Sequence, residues 1–249
     1  MVGLLTDIGN VRKLNEDYVG YHEDNQKKIY IVADGMGGHN AGEVASKMAV
    51  DSAIEYINSM DSIENLERVL SEAIQFSNKK VYEFSKTNSS LNGMGTTITA
   101  CLIKDSNMVV ANVGDSRCYV IDNKGIHQVT KDHSLVQQLV DNGSITIEEA
   151  AVHPNKNIIT RALGTAPVVD IDIYTIDLKE IDRVILCTDG LSNSLTDLEI
   201  YEVVMKTSIS DACDRLVNLS KERGGRDNIT VIIFEGECKN DWDFARKQI

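Results

Sequence analysis

Four short apolar runs of this chain each stop or start at an aspartate beside a glycine or an asparagine. Asp34 follows Ile29-Tyr30-Ile31-Val32-Ala33, and Asp115 follows Val109 to Val113 and Gly114. Asp189 follows Val184 to Thr188, while Asp227 and Asn228 precede Ile229 to Phe234. Short runs of this kind between turn residues read as buried strands. Buried strands bring their ends together at a sheet edge, so the four carboxylates could converge there. Like charges at close range do not all stay ionised unaided, and a cation resolves the conflict. Each Asp-Gly or Gly-Asp is also ordinary turn chemistry. The spacing therefore leaves two readings open, turn residues or a cation site. An all-oxygen set without Cys or His selects Mg²⁺ or Mn²⁺ over Zn²⁺. Gly35 would let the backbone come close and offer its carbonyl as a further ligand.

The rest of the chain alternates strands and helices in blocks. Ala45, Met48, Ala49, Ser52, Ala53 and Tyr56 fall on one helical face of small residues. A second helix is expected from about Ser62 to Ser85. Strand-like runs follow at Thr96–Ile103, Met108–Val113 and Arg117–Ile121. Their turns, 104–107 and 122–125, suit hairpins, so an antiparallel meander is expected. Ser134 to Val140 reads as helical, Asn142-Gly143 stops it, and Thr146 to Ala151 restarts. Strands are expected again at Ile158–Arg161, Val168–Ile176 and Val184–Thr188, then a helix at Asp211–Glu222 and a last strand at Ile229–Glu235. Two early helices, a long antiparallel stretch and one late helix favour α+β over a doubly wound parallel sheet. One domain is expected over 1–238, followed by a polar tail over 239–249.

Lys+Arg is 25 and Asp+Glu is 38, giving a net charge of −13. That sign disfavours a nucleic-acid binder working through a basic surface. The five cysteines, an odd number, include no Cys-x-x-Cys pair, which excludes the usual thiolate zinc spacings, argues against a disulfide framework and fits a reducing compartment. The chain shows neither a signal-like start nor an apolar run near the ~20 residues of a membrane helix. A cytoplasmic protein without membrane insertion is expected.

Eight segments, in order, resemble the type 2C metal-dependent Ser/Thr protein phosphatases of bacteria. They are Gly9-x-Val11-Arg12-x-x-Asn15-Glu16-Asp17, Asp34-Gly35-Met36-Gly37-Gly38-His39, Gly93-Met94-Gly95-Thr96-Thr97 and Asn112-Val113-Gly114-Asp115-Ser116-Arg117. Then come Lys131-Asp132-His133-Ser134, Ile159-Thr160-Arg161-Ala162-Leu163-Gly164, Thr188-Asp189-Gly190-Leu191 and Gly225-Arg226-Asp227-Asn228-Ile229-Thr230. Each is weak alone; together, in the family's order, they are specific.

The resemblance implies a four-layer sandwich of two antiparallel sheets flanked by helices, with a helical flap at about 134–157. It implies hydrolysis of phosphoserine and phosphothreonine monoesters on proteins by a water bridging two Mn²⁺ or Mg²⁺ ions. Asp34 would bridge both ions, Gly35 would give its carbonyl, and Asp189 and Asp227 would complete the core. Glu16 and Asp17 would act through waters on the metals. Asp115, with Asp189, would hold a third ion, and Arg12 would bind the substrate phosphate. A bacterial Ser/Thr kinase and its targets are the implied partners.

Animal members carry a His, proposed as general acid, two residues after the bridging Asp. Met36 stands there, as is usual in bacterial members, and His39 is read as ordering the loop. Arg117 and Arg161 are read as partners of buried acids. Asp132 and His133 either position the base of the flap or are purely structural. Two rivals stand beside the phosphatase reading. A metal-dependent phosphodiesterase or nuclease is disfavoured by the charge, and a phosphate-sensing pseudophosphatase is disfavoured because no metal ligand is missing.

Overall fold

The computed structural model describes residues 1–37, 41–87, 91 and 93–238. The chain opens with strands β1 (Val2–Asp7), β2 (Asp17–Glu23) and β3 (Lys28–Met36), then helices α1 (Ala41–Asn58) and α2 (Leu66–Ser85). Strands β4 (Gly95–Thr96), β5 (Ile98–Lys104), β6 (Asn107–Val113), β7 (Arg117–Asp122) and β8 (Gly125–Gln128) follow. Two short helices, α3 (Leu135–Asp141) and α4 (Ile147–Ala151), lead to β9 (Asp172–Asp177) and β10 (Arg183–Cys187). The remainder is α5 (Asp189–Ser192), α6 (Asp197–Lys206), α7 (Ile209–Glu222) and β11 (Ile229–Glu235).

The strands form two antiparallel sheets, ordered β1-β11-β10-β7-β8 and β2-β3-β5-β6-β9, with β4 paired to β3. The two-residue alternation of strand side chains separates the layers. On β3, Ile29, Ile31 and Ala33 pack with α1 and α2, in one core with Ala45, Ala49, Ala53, Leu70 and Ile74. Tyr30 and Val32 point the other way, into a layer between the sheets with Cys118, Leu186, Ile232 and Phe234. Tyr30 stacks on Phe234 there, ring centroids 3.8 Å apart. The outer face of the second sheet meets Leu191, Val204, Leu216 and Val217 of α5, α6 and α7. The expected α+β sandwich with flanking helices is therefore the observed fold. Each fully buried Ile or Leu in these layers contributes roughly 1.5–3 kcal/mol.

Several expectations need correction. The meander breaks after β6. β5 and β6 pair as a hairpin in one sheet, but β7 pairs with β8 and β10 in the other. The chain crosses at Gly114, whose φ of +114° suits glycine and whose Cβ would lie 2.5 Å from the Thr97 side chain. Ile158–Arg161 is not a strand; Ile159 makes one bridge, to Ser134. Its backbone closes the base of the α3–α4 segment instead, through Leu135 N–H to Ile158 O at 2.8 Å and Thr160 N–H to His133 O at 2.7 Å. The run from Val168 pairs only from Asp172, which stands opposite Asn112, one residue before β6 ends. The expected second helix begins at Leu66, where the Asn65 side chain caps it.

Strands β1 and β2 were not among the expected elements. Both lie at sheet edges with part-exposed residues, so their hydrophobic pattern is weak. Helices α5 and α6 were also not expected. A Thr196/Glu199 capping box starts α6. The expected tail over 239–249 lies outside the described residues. All four strand and helix cysteines, Cys101, Cys118, Cys187 and Cys213, are buried and free.

Candidate active site

β3 delivers Asp34 to the end of its sheet, directly opposite Asp17 of β2. The Asp34 amide donates to Thr97 Oγ1 at 2.9 Å, and Thr97 N–H donates to Asp34 O at 2.9 Å. Next along β3, Gly35 N–H donates to Glu16 O at 3.0 Å. A Cβ on Gly35 would lie 2.1 Å from Gly42 O and 2.6 Å from Glu16 O. Three backbones meet at this point, and only glycine fits between them.

From the second sheet, Asp189 opens α5 directly after β10, and Asp227 lies just before β11. Asn193 Nδ2 donates to Asp189 Oδ2 at 3.0 Å. Asp227 Oδ2 accepts from Arg12 Nη2 at 2.8 Å, and its Oδ1 accepts from the Asn228 amide at 2.9 Å. Asn228 holds the Arg12–Glu16 segment in place. Its Nδ2 donates to Ile8 O at 3.0 Å and Leu14 O at 2.9 Å, and its Oδ1 accepts from Glu16 N–H at 2.8 Å.

Asp115 sits in the β6–β7 crossing. His133 grips the preceding residue from both sides: Gly114 N–H donates to His133 Nδ1 at 3.0 Å, and His133 N–H donates to Gly114 O at 2.9 Å. A ring nitrogen that accepts an amide proton is unprotonated, and burial lowers the pKa of His133. Its Nε2 faces Asp172 Oδ2 at 3.1 Å. His133 thus holds the Asp115 turn and, through its carbonyl, the base of the α3–α4 segment. Arg117 forks onto Asp132, with Nε at 2.9 Å from Oδ1 and Nη2 at 2.7 Å from Oδ2. Arg161 pairs with Asp172 at 2.6 Å. The acid that Arg117 holds, Asp132, is largely buried, whereas Asp172, the partner of Arg161, is only half-buried.

Arg12, Glu16, Asp34, Gly35, Asp115, Asp189 and Asp227 all line one cavity of about 250 Å³. Asp17, 5% exposed, does not line it. Asn157 and Ile159 reach the cavity from the segment after α4, and Met36 lines it as well. His39 lies outside the described residues.

The electrostatics are those of crowded acids. Burial first, then repulsion from Asp17, Asp189, Asp115 and Asp227, raises the pKa of Asp34 well above the usual carboxylate range. Burial and neighbouring aspartates raise Asp17, Asp115 and Asp189 too, and Glu16 rises chiefly through burial. Burial works against the charge of Arg12, but Asp227, Asp34 and Glu16 outweigh it and raise its pKa.

A divalent cation fits this donor set. Asp17 Oδ1 and Asp189 Oδ1 are buried without a hydrogen-bond partner, an arrangement costly for carboxylate oxygens unless something positive reaches them. All the candidate ligands are oxygens. As arranged here, no three His, Cys, Asp or Glu among the described residues are gathered tightly enough to enclose an ion. Arg12 supplies the nearby positive charge through its bond to Asp227. Residues that carry the site without having been assigned a role from sequence are Thr97, Thr188 and Asn228. All three lie inside the motif segments, which was the available signal.

A family model described as protein phosphatase 2C matches residues 10–230. This chain belongs to that family. Phosphatase 2C relatives match it over nearly their whole length. It is 43% identical to the serine/threonine phosphatase stp of Listeria monocytogenes over 236 residues, covering 92% of this chain and 93% of the relative. The crystal structure of Stp1 from Staphylococcus aureus superposes with a TM-score of 0.89 at 38% identity, covering 94% of this chain and 95% of that one. The catalytic domain of the phosphatase PstP in complex with 2 manganese ions superposes with a TM-score of 0.81 at 33% identity, covering 94% and 96%.

Proposed function

We propose that this chain hydrolyses phosphoserine and phosphothreonine monoesters on proteins at the carboxylate-lined cavity. As a phosphatase 2C family member it is a metal-dependent serine/threonine protein phosphatase. The observation that carries the site assignment is the pair of buried, unpartnered oxygens on Asp17 and Asp189 within a cluster of acids whose pKa values are raised.

In this reading Asp34, Gly35 through its carbonyl, Asp189 and Asp227 hold two ions, Mn²⁺ or Mg²⁺. Glu16 and Asp17 would act through water on the metals, and Asp115 with Asp189 would hold a third ion. When bound, the ions neutralise the phosphate dianion and lower the pKa of the attacking water. Arg12 orients the phosphate, since a guanidinium fork matches two of its oxygens. Asn228 and Thr97 keep the Arg12–Glu16 segment and Asp34 in register. The bond between phosphorus and the serine or threonine oxygen breaks as water adds to phosphorus. Met36 offers the leaving oxygen no proton, and water in the cleft is the donor this reading favours over His39. A thiol nucleophile has no place in the scheme: burial raises the pKa of Cys118, Cys187 and Cys213.

The catalytic domain spans 1–238 in this proposal, with 134–157 as its flap. The partners are phosphorylated proteins, among them a bacterial Ser/Thr kinase and its substrates, and the location is the cytoplasm. Among the described residues no helix is long and apolar enough to cross a membrane. Nucleic acid is not a partner at a net charge of −13. The test compares phosphate release from a phosphothreonine peptide with cleavage of a phosphodiester. The expected result is monoester hydrolysis that far exceeds diester cleavage; the reverse order would make the chain a phosphodiesterase.

A further inference from the structure

A second concavity, of about 270 Å³, adjoins the carboxylate-lined one and shares Asn157 and Asp227 with it. Its walls come from three places: Lys156 and Asn157 after α4, Asn193 and Ser194 at the end of α5, and Arg223 and Arg226 after α7. The charge of this lining is opposite to that of the neighbouring cavity. In a chain of net charge −13, three cations around one hollow beside the reacting centre call for an anionic occupant.

The three cations are not equivalent. Arg223 is committed, with both guanidinium Nη atoms on Glu199 and one also donating to Ser194 O at 2.9 Å. It builds the wall. Lys156 and Arg226 form no ion pair or side-chain hydrogen bond with any described residue. Asp227 is the only carboxylate on this lining among the described residues, and both its oxygens are engaged, by Arg12 and by the Asn228 amide. Lys156 and Arg226 are therefore available to a ligand. The hollow also continues the cleft: Asn193 lines it and donates to Asp189 Oδ2. Lys156 lies close enough to Asp189 to stabilise that carboxylate's charge.

We propose that this groove holds an anionic side chain of the substrate, phosphate or carboxylate, a few residues from the phosphoresidue under attack. The inference rests on the phosphatase reading and adds a substrate preference to it. Arg226 offers a fork to two oxygens and Lys156 a point charge, a pairing that suits a phosphate better than a carboxylate. A neutral or basic flank leaves both cations unpaired and is disfavoured.

The test uses phosphothreonine peptides carrying phosphotyrosine, glutamate, alanine or lysine at each of about four positions on either side. Turnover is measured on the Mn²⁺-loaded protein. Binding is measured in parallel, by fluorescence anisotropy, with the same peptides bearing a non-hydrolysable phosphonate at the threonine. An anionic flank at one or two positions is expected to improve both kcat/KM, through KM, and binding by about fivefold. That is the size of two part-exposed charge contacts. The advantage shrinks as salt rises, collapses toward unity in Lys156→Ala/Arg226→Ala, and turns toward lysine flanks in Lys156→Glu. Phosphotyrosine above glutamate marks a phosphate subsite; equal effects mark a general acidic one. Equal binding of anionic and neutral flanks at every position would overturn the proposal, as would a preference that survives the double substitution. If no peptide releases phosphate while the binding preference persists, the phosphatase reading fails and the groove stands.

Discussion

The Thr188 hydroxyl donates to Asp17 Oδ2 at 2.7 Å, linking two residues 171 apart in sequence. Asp17 belongs to β2 in one sheet, and Thr188 follows β10 in the other. The same hydroxyl accepts from Thr230 N–H at 3.0 Å. One side chain therefore fastens the two sheets together at their carboxylate-bearing ends and leaves Asp17 Oδ1 unpartnered.

Thr188→Val keeps the shape of this fastening and removes both hydrogen bonds. A buried amide and a buried carboxylate oxygen each lose a partner, so a loss of about 1–3 kcal/mol is expected. For a chain this size each kcal/mol lowers Tm by roughly 2–4 °C. A thermal melt of the variant beside the parent checks this, and an unchanged Tm would show that the Thr188 bonds contribute nothing.

The crowded carboxylates set a pH dependence for protein stripped of divalent cations by EDTA. Burial and neighbouring aspartates push Asp189 up to about 6 and Asp115 up to about 8, whereas unfolded aspartates titrate near ~3.9. The folded state then holds protons that the unfolded state has released, and stability falls as pH rises. The decline should run from about pH 4 to pH 8 and flatten when Mn²⁺ is restored. Asp34→Asn makes permanent the uncharged form that burial and the neighbouring acids favour at Asp34, so the variant without metal should melt at or above the parent temperature at pH 8 while losing nearly all turnover. Asp189→Asn should behave alike. Near-parent turnover in both variants would contradict the assignment.

Arg12 holds Asp227, and in the proposed reaction it would also receive the phosphate. A charge-assisted hydrogen bond is worth roughly 1.5–3 kcal/mol. Arg12→Ala should accordingly cost on the order of ten- to a hundredfold in kcat/KM, with Arg12→Lys intermediate because an ammonium gives one point of contact. A phosphopeptide rate series with parallel Mn²⁺ titration separates the jobs. Unchanged kcat/KM with weakened Mn²⁺ binding would make Arg12 a brace for the acids only.

Asp34, Asp115, Asp189 and Asp227 were legible because each adjoins a local apolar run, and locality is what a sequence displays. The partners that fix them were not. Asn228 reaches Ile8, Leu14 and Glu16 across 212 to 220 residues, and Arg12 reaches Asp227 across 215. No local pattern announces such contacts; only the resemblance drew attention to those segments. Asp17 was legible by resemblance alone, since β2 is an edge strand with a blurred alternation. Helix α6 was hidden by its short length and the polar run before it. The change of sheet at Gly114 was hidden because hairpin and crossing turns use the same residues.

If the carboxylates act by holding divalent cations, turnover has to follow the ion. Phosphate release from a phosphothreonine peptide is followed in a single preparation as Mn²⁺ is added, removed with EDTA and added again. Turnover is expected with Mn²⁺, none after chelation, and recovery on re-addition. Full turnover after exhaustive chelation would contradict it.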